Sequence, residues 1–95
     1  MTYSAEQISL MARLHAMLES DTVEDPDSFT KVFVVVHEHI GIPSLMTAEH
    51  LSVDEGQLVD WSEGRNLPSE PEWPEIIDKI MQLLLHTWRE HRHRK

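Results

Sequence analysis

The side chains of this chain that could do chemistry are seven histidines, seventeen carboxylates and eight lysines and arginines. Their spacing bears first on metals. His37 and His39 flank Glu38, and His86, His91 and His93 cluster near the end. An i,i+2 pair on a helix points to different faces, so His37 and His39 make poor joint ligands. His86 and Glu90 have a workable i,i+4 spacing, but no third ligand accompanies them, and no metal or cofactor is expected. Catalysis fares no better. There is no nucleophile–base spacing, no glycine-rich phosphate loop and no H-E-x-x-H pattern, so the chain is not expected to be an enzyme. The remaining chemistry is recognition of charge. Arg89, Arg92, Arg94 and Lys95, with His91 and His93, form a C-terminal basic cluster. Such a cluster suits phosphate, and it equally suits the negative end of a helix dipole.

The bulk charge opposes phosphate. Seventeen acids against eight bases give −9, and the excess lies in the first two thirds of the chain. Residues 1–30 hold six acids and one base, residues 31–70 seven and two, and residues 71–95 four and five. Nucleic-acid affinity rests on a basic face that displaces counterions, and little basic charge stands outside the last seven residues. A length of 95 residues and 40% hydrophobic content fit one ordinary domain over 1–95. Cysteine is absent, which removes disulfides and thiolate metal sites and agrees with a cytoplasmic setting. No apolar run approaches a membrane span, and no secretory leader pattern is visible, so no membrane partner is expected.

The elements that must position these groups read as helices. Ser4-Ala5-Glu6-Gln7 fits a capping box, and Ile8, Met11, Leu14 and Leu18 follow at helical spacing, with Leu10 and Met17 widening the stripe. This predicts an N-terminal helix over 4–20. Asp21 to Asp27, acidic and containing Pro26, reads as a loop. Asp27 or Ser28 then caps a second helix carrying Phe29, Val32, Phe33, Val36 and Ile40, with Gly41 as its stop. The β-branched run 32–36 favours a strand, but the spacing and the caps favour a helix. Pro43 and Ser44 begin a third helix running to about Leu51, and Asp54 caps a fourth. Leu67 to Pro74 holds three prolines and reads as a stiff extended connection. Pro74 opens a final helix over 74–92 with Ile76, Ile77, Ile80, Met81, Leu84 and Trp88 on a broad apolar face. Met11, Met17, Met46 and Met81 read as core packing, and Trp73 as either a lid on the core or an exposed anchor. The final helix is apolar around more of its circumference than one contact needs. Either the N-terminal helix covers the surplus or a second copy does, making a homodimer through the C-terminal helix.

The stretch Leu51 to Pro68 carries the most specific pattern. Ala48 and Leu51 share one face of the third helix, Leu58 and Trp61 one face of the fourth, and Val53 sits in the turn between. A small residue at Ala48 lets two short helices approach closely, and Gly64 and Pro68 end the second. In order and spacing, Ala48, Leu51, Val53, Leu58, Trp61, Gly64, Arg65 and Pro68 resemble the lambda-repressor/Cro-like (XRE-type) helix-turn-helix family. The run Trp61 to Pro68 is similar to its W-E-x-G-x-x-x-P signature. The resemblance covers roughly Phe29 to Leu84. Departures are Ser52 where the turn usually has Gly, Thr47 where an apolar residue is usual, Ser62 in place of Glu after the Trp, and Asp60 in place of a basic or polar residue.

The resemblance implies an all-α, five-helix lambda-repressor-like domain, with the motif-bearing part over 28–68 between the N-terminal helix and the long C-terminal one. It also implies a DNA-binding transcriptional regulator. By position, Ser44, Glu55, Gln57, Asp60, Arg65 and Asn66 would meet DNA: Gln57 on an adenine edge, Arg65 and Asn66 on phosphate. Against that stand Asp54, Glu55 and Asp60, three carboxylates on one short helix, although Asp54 as a cap and Glu55 in the first turn are also what a helix dipole favours. The alternative expectation is an acidic interaction module on the same scaffold: an anti-repressor, an accessory subunit or a nucleic-acid mimic that binds a basic protein partner.

Overall fold

The computed structural model describes residues 3–20 and 23–93, the last two through their backbone only. Every regular element among them is helical: α1 (Ala5–Ser20), α2 (Pro26–Val34), α3 (Ser44–Leu51), α4 (Glu55–Ser62) and α5 (Trp73–His93). None of these helices is long and apolar enough to cross a membrane.

Local chemistry sets most boundaries. The Ser4 backbone N–H donates to Gln7 Oε1 at 2.7 Å and the Gln7 N–H to Ser4 Oγ at 3.1 Å, the reciprocal box expected at the start of α1. The start of α2 differs from expectation. Asp25, not Asp27 or Ser28, is the cap: its carboxylate accepts from the Ser28 N–H at 2.8 Å and the Ser28 hydroxyl at 2.9 Å. Those two bonds hold the Asp25 carboxyl below its ordinary range. Pro26 is therefore the first residue of the helix, where its fixed φ is an advantage, rather than part of a loop.

The β-branched run after Phe33 is helical as the spacing predicts, but the helix widens into a π turn over Val35–Ile40. Gly41 closes it at φ 88°, its N–H and that of Ile42 both reaching the Val36 carbonyl. α3 ends on Ser52 at φ 60°, with the Val53 N–H donating to the Ala48 carbonyl at 3.0 Å. α4 ends the same way, with Gly64 at φ 78° and Arg65 N–H donating to the Asp60 carbonyl at 2.7 Å.

The expected extended connection before α5 is a correction. A 3₁₀ turn, Glu70–Glu72, runs directly into Trp73, because Glu72 accepts from both the N–H and the hydroxyl of Ser69. The prolines hide a further capping box, after those of Ser4 with Gln7 and Asp54 with Gln57. The helix it starts begins at Trp73, one residue before Pro74.

α2 packs on α4, α3 on α4 and α5, and α1 on α5 and the π turn. The centre is aromatic. Phe29 stacks on Trp73 with ring centroids 4.9 Å apart, and meets Trp61 edge-on at 6.0 Å; Phe33 lies 5.2 Å from Phe29 and 5.4 Å from Trp61. Trp73 is thus part of the core and not an exposed anchor. Met11 is buried as expected, but Met17 and Met46 are exposed, contrary to their reading as core. Met17 lies on the solvent side of a helix whose buried face is Met11, Leu14 and Leu18.

Two substitutions test this architecture by urea denaturation. Trp73→Ala removes the stacked ring and an indole bond and should cost about 3–5 kcal/mol. Ser52→Gly relieves a left-handed non-glycine residue and should add about 1 kcal/mol.

Candidate functional site

The six residues expected to meet a ligand all lie on the α3–α4 unit or the loop that follows it, and each makes a bond within the chain. At the joined starts of the two helices, Ser44 Oγ donates to Glu55 Oε2 at 2.7 Å. One turn along, Gln57 Oε1 accepts from the Asp54 backbone N–H at 3.0 Å. At the far end of α4, Arg65 Nη2 lies 2.8 Å from Glu63 Oε2 and 3.4 Å from Asp60 Oδ1. Asn66 Nδ2 donates to the other Asp60 oxygen at 3.1 Å.

The structure therefore brings Asp60, Arg65 and Asn66 together, adds Glu63 to them, and places Ser44 with Glu55 as a separate pair. It leaves Gln57 as a helix-capping group. A bidentate pairing with adenine needs the amide oxygen and nitrogen together, so it would require giving up the cap bond.

The positions are held by the loop behind them. The Trp61 indole N–H donates to the Asn66 carbonyl at 3.1 Å, and the Trp73 indole N–H to the Pro68 carbonyl at 2.8 Å. Asn66 takes φ 49°, a conformation that asparagine tolerates better than most residues. The two buried indoles thus clip the segment carrying Arg65 and Asn66 onto the core.

Comparison with known proteins gives no matching family model, no matching curated sequence and no matching solved structure.

Residues outside the expected set dominate the α3–α4 face. Four large apolar side chains are exposed in the described structure, and three belong to α3 and α4: Leu45 (57% exposed), Met46 (43%) and Val59 (47%). The Ser44–Glu55 bond brings the end of α3 bearing Leu45 next to the face of α4 bearing Glu55 and, one turn on, Val59. The sequence carries a signal for them. Once Thr47, Ala48 and Leu51 are buried on α3, the helical period turns Leu45 away from the core, and Leu58 with Trp61 does the same to Val59.

The remaining candidates separate. His37 and His39 diverge as the i,i+2 spacing requires: His39 is exposed, whereas His37 is half-buried with Nε2 3.1 Å from Thr47 Oγ1. His86 and Glu90 form an exposed pair at 3.4 Å, and no group of three metal-ligating side chains occurs among the described residues. In the basic C-terminal cluster, Arg89 is exposed and His91 half-buried. Arg94 and Lys95 lie outside the described residues, as do the side chains at 92 and 93.

The His37–Thr47 contact accounts for a polar residue in the buried face of α3. Thr47 is fully buried, and its hydroxyl finds a partner in His37 and a longer one, 3.4 Å, in the Pro43 carbonyl. Burial lowers the His37 pKa below its ordinary 6.5, against a smaller opposite pull from Glu38. A depressed folded value means the unfolded chain binds the proton first. Stability is then full above about pH 6.5 and is lost as pH falls through the folded value. His37→Gln, which keeps a hydrogen-bonding side chain but cannot titrate there, should lose less melting temperature between pH 7.5 and 5.5 than the wild type. Equal losses in the two proteins would remove His37 as the source.

Proposed function

We propose that this chain is a small regulatory protein on a helix-turn-helix scaffold, and that its α3–α4 face docks a basic, amphipathic segment of a partner protein. The observation that carries this reading is the exposure of Leu45, Met46 and Val59 on the two short helices, framed by Glu49, Asp54, Glu55, Asp60 and Glu63. Apolar side chains gain nothing from phosphate. They do gain from a partner's apolar residues, and the surrounding carboxylates select one whose flanks are lysine or arginine. An open crevice beside the face, between α4, its loop and the start of α5, is lined by Asn66, Glu72, Glu75 and Lys79; Lys79 stands 3.8 Å from Glu75, so a partner's basic side chain there would have to share that carboxylate.

Phosphate binding on this face is opposed at Arg65 itself. The two Arg65 ion pairs are exposed and individually weak, so a phosphate can compete for the guanidinium. Releasing Arg65, however, leaves Asp60 and Glu63 unneutralised beside that same phosphate. Four carboxylates on or beside α4, Asp54, Glu55, Asp60 and Glu63, then repel the duplex that one arginine attracts.

The second reading is an operator-binding regulator of the lambda-repressor/Cro-like kind. The observation favouring it is the α3–α4 contact: Ala48, Leu51, Leu58 and Trp61 are all buried where the two short helices pack on each other, as such a motif would require.

Fluorescence anisotropy with two labelled probes separates the readings. One is a duplex of mixed sequence; the other is a helical peptide alternating leucine and lysine by turns, with an all-lysine peptide as control. The amphipathic peptide should bind at moderate salt, the control far more weakly. The double variant Leu45→Ser, Val59→Ser should weaken the amphipathic peptide about tenfold or more. Both positions are exposed, so circular dichroism should be unchanged. Saturable duplex binding that resists salt and is lost in Gln57→Ala would replace this proposal with the second reading.

A further inference from the structure

The second half of α5 is not fully used by the core. Leu84 is buried against α1, but Met81, Leu85 and Trp88, which recur along one stripe, are only half-buried. Beside them α1 presents Ala12 and Ala16, both exposed and one turn apart. Between the two helices runs an open, mainly apolar cleft of about 260 Å³, floored by Met11 and Leu84. Small residues on one wall leave room for a further helix to approach.

The outer face of α5 indicates what lies there. Asp78 and Arg89 are both exposed and stand about three helical turns apart, so they share one side of the helix, with Leu85 between them on that side. The face is therefore negative at one end and positive at the other, and between them lie Leu85 and the exposed Gln82, whose amide donates to Asp78 at 3.2 Å. A helix of the same sequence laid parallel would set like charge on like. Laid antiparallel, it sets each Asp78 opposite the other copy's Arg89 and brings the two Leu85 side chains together beside the axis, flanked by the two Gln82. A two-fold pair of identical faces is self-complementary only in that orientation.

We infer that the outer face of α5, with the adjoining α1–α5 cleft, is a contact between two copies of this chain, their α5 helices antiparallel. In this arrangement the half-buried stripe of each copy is closed off by the other's α5, with Ala12 and Ala16 as the flanking wall. The α3–α4 face lies on other helices and takes no part. The inference is thus independent of the docking function proposed above, and neither fails with the other.

The test is sedimentation equilibrium of the full chain from about 5 to 500 µM, without any partner, on four proteins. The wild type should show a monomer–dimer equilibrium. Asp78→Arg or Arg89→Asp alone creates two repulsive contacts by symmetry, and should weaken the dimer about tenfold. The double exchange, Asp78→Arg with Arg89→Asp, restores opposite charges across the axis and should return the constant to within about threefold of wild type. Both positions of change are exposed, and melting curves confirm that each variant is folded. A monomer at every concentration would overturn the inference. So would a double variant as weak as the two singles combined, because rescue occurs only when the two residues face each other.

Discussion

The stack of Phe29 on Trp73 is the contact on which the rest of the molecule depends. It joins the first turn of α2 to the first residue of α5, two points far apart in the chain, at a centroid distance of 4.9 Å. Trp61, from α4, closes on Phe29 and Phe33 from the side. Three helices are thereby fixed by four rings, each burying more area than an aliphatic side chain and each with a preferred geometry. A chain of this length has few other means of holding two eight-residue helices, α3 and α4, which would not be stable alone.

The same rings order the candidate site. An indole is apolar except for one N–H, and a buried N–H needs an acceptor. Trp61 and Trp73 both find theirs in the loop between α4 and α5, at the Asn66 and Pro68 carbonyls. That loop carries Arg65, and its neighbour Asn66 reaches back to Asp60. The polar face is thus an outer layer on the aromatic core: its backbone is tied down from behind, while its exposed ion pairs contribute little to stability.

Much of the fold was legible in the sequence because the signals were local. Ser4 with Gln7, Asp54 as a cap, Gly41 and Gly64 at positive φ, and the spacing of Phe29, Val32 and Phe33 each act within a few residues. Two boundaries were misread for one reason. Proline marks a loop and also suits the first turn of a helix, and only the cap before it decides: Asp25 for Pro26, Ser69 for Pro71. The π turn over Val35–Ile40 gave no sign, since β-branched residues occur in strand and helix alike. The site was half legible. Ser44, Glu55, Gln57, Asp60, Arg65 and Asn66 do lie on one unit, but the Ser44–Glu55 bond depends on how α3 meets α4, and the bonds of Asp60 to Arg65 and Asn66 on how the loop folds back on α4. Exposure of Met46, Leu45 and Val59 was harder to see. In an eight-residue helix, two turns of periodicity leave the direction of the buried face open until its partner is known.

The α3–α4 unit also departs most from what stability alone would select. Ser52 occupies a left-handed position that glycine fills more cheaply. Thr47 places a hydroxyl in full burial and needs His37 to satisfy it, which ties that helix to a titratable group on the π turn. Ser62 Oγ is buried with no hydrogen-bond partner among the described residues. Each departure is of a kind that costs on the order of 1 kcal/mol, and all three fall within or beside two helices of eight residues. A unit this short tolerates them only because α2 and α5 hold it from outside, through the aromatic cluster. Local rules are broken most often where a surface serves something other than folding. Here the broken rules and the exposed apolar side chains coincide on the same two helices, which is the reason to look for a partner there rather than on α1 or α2.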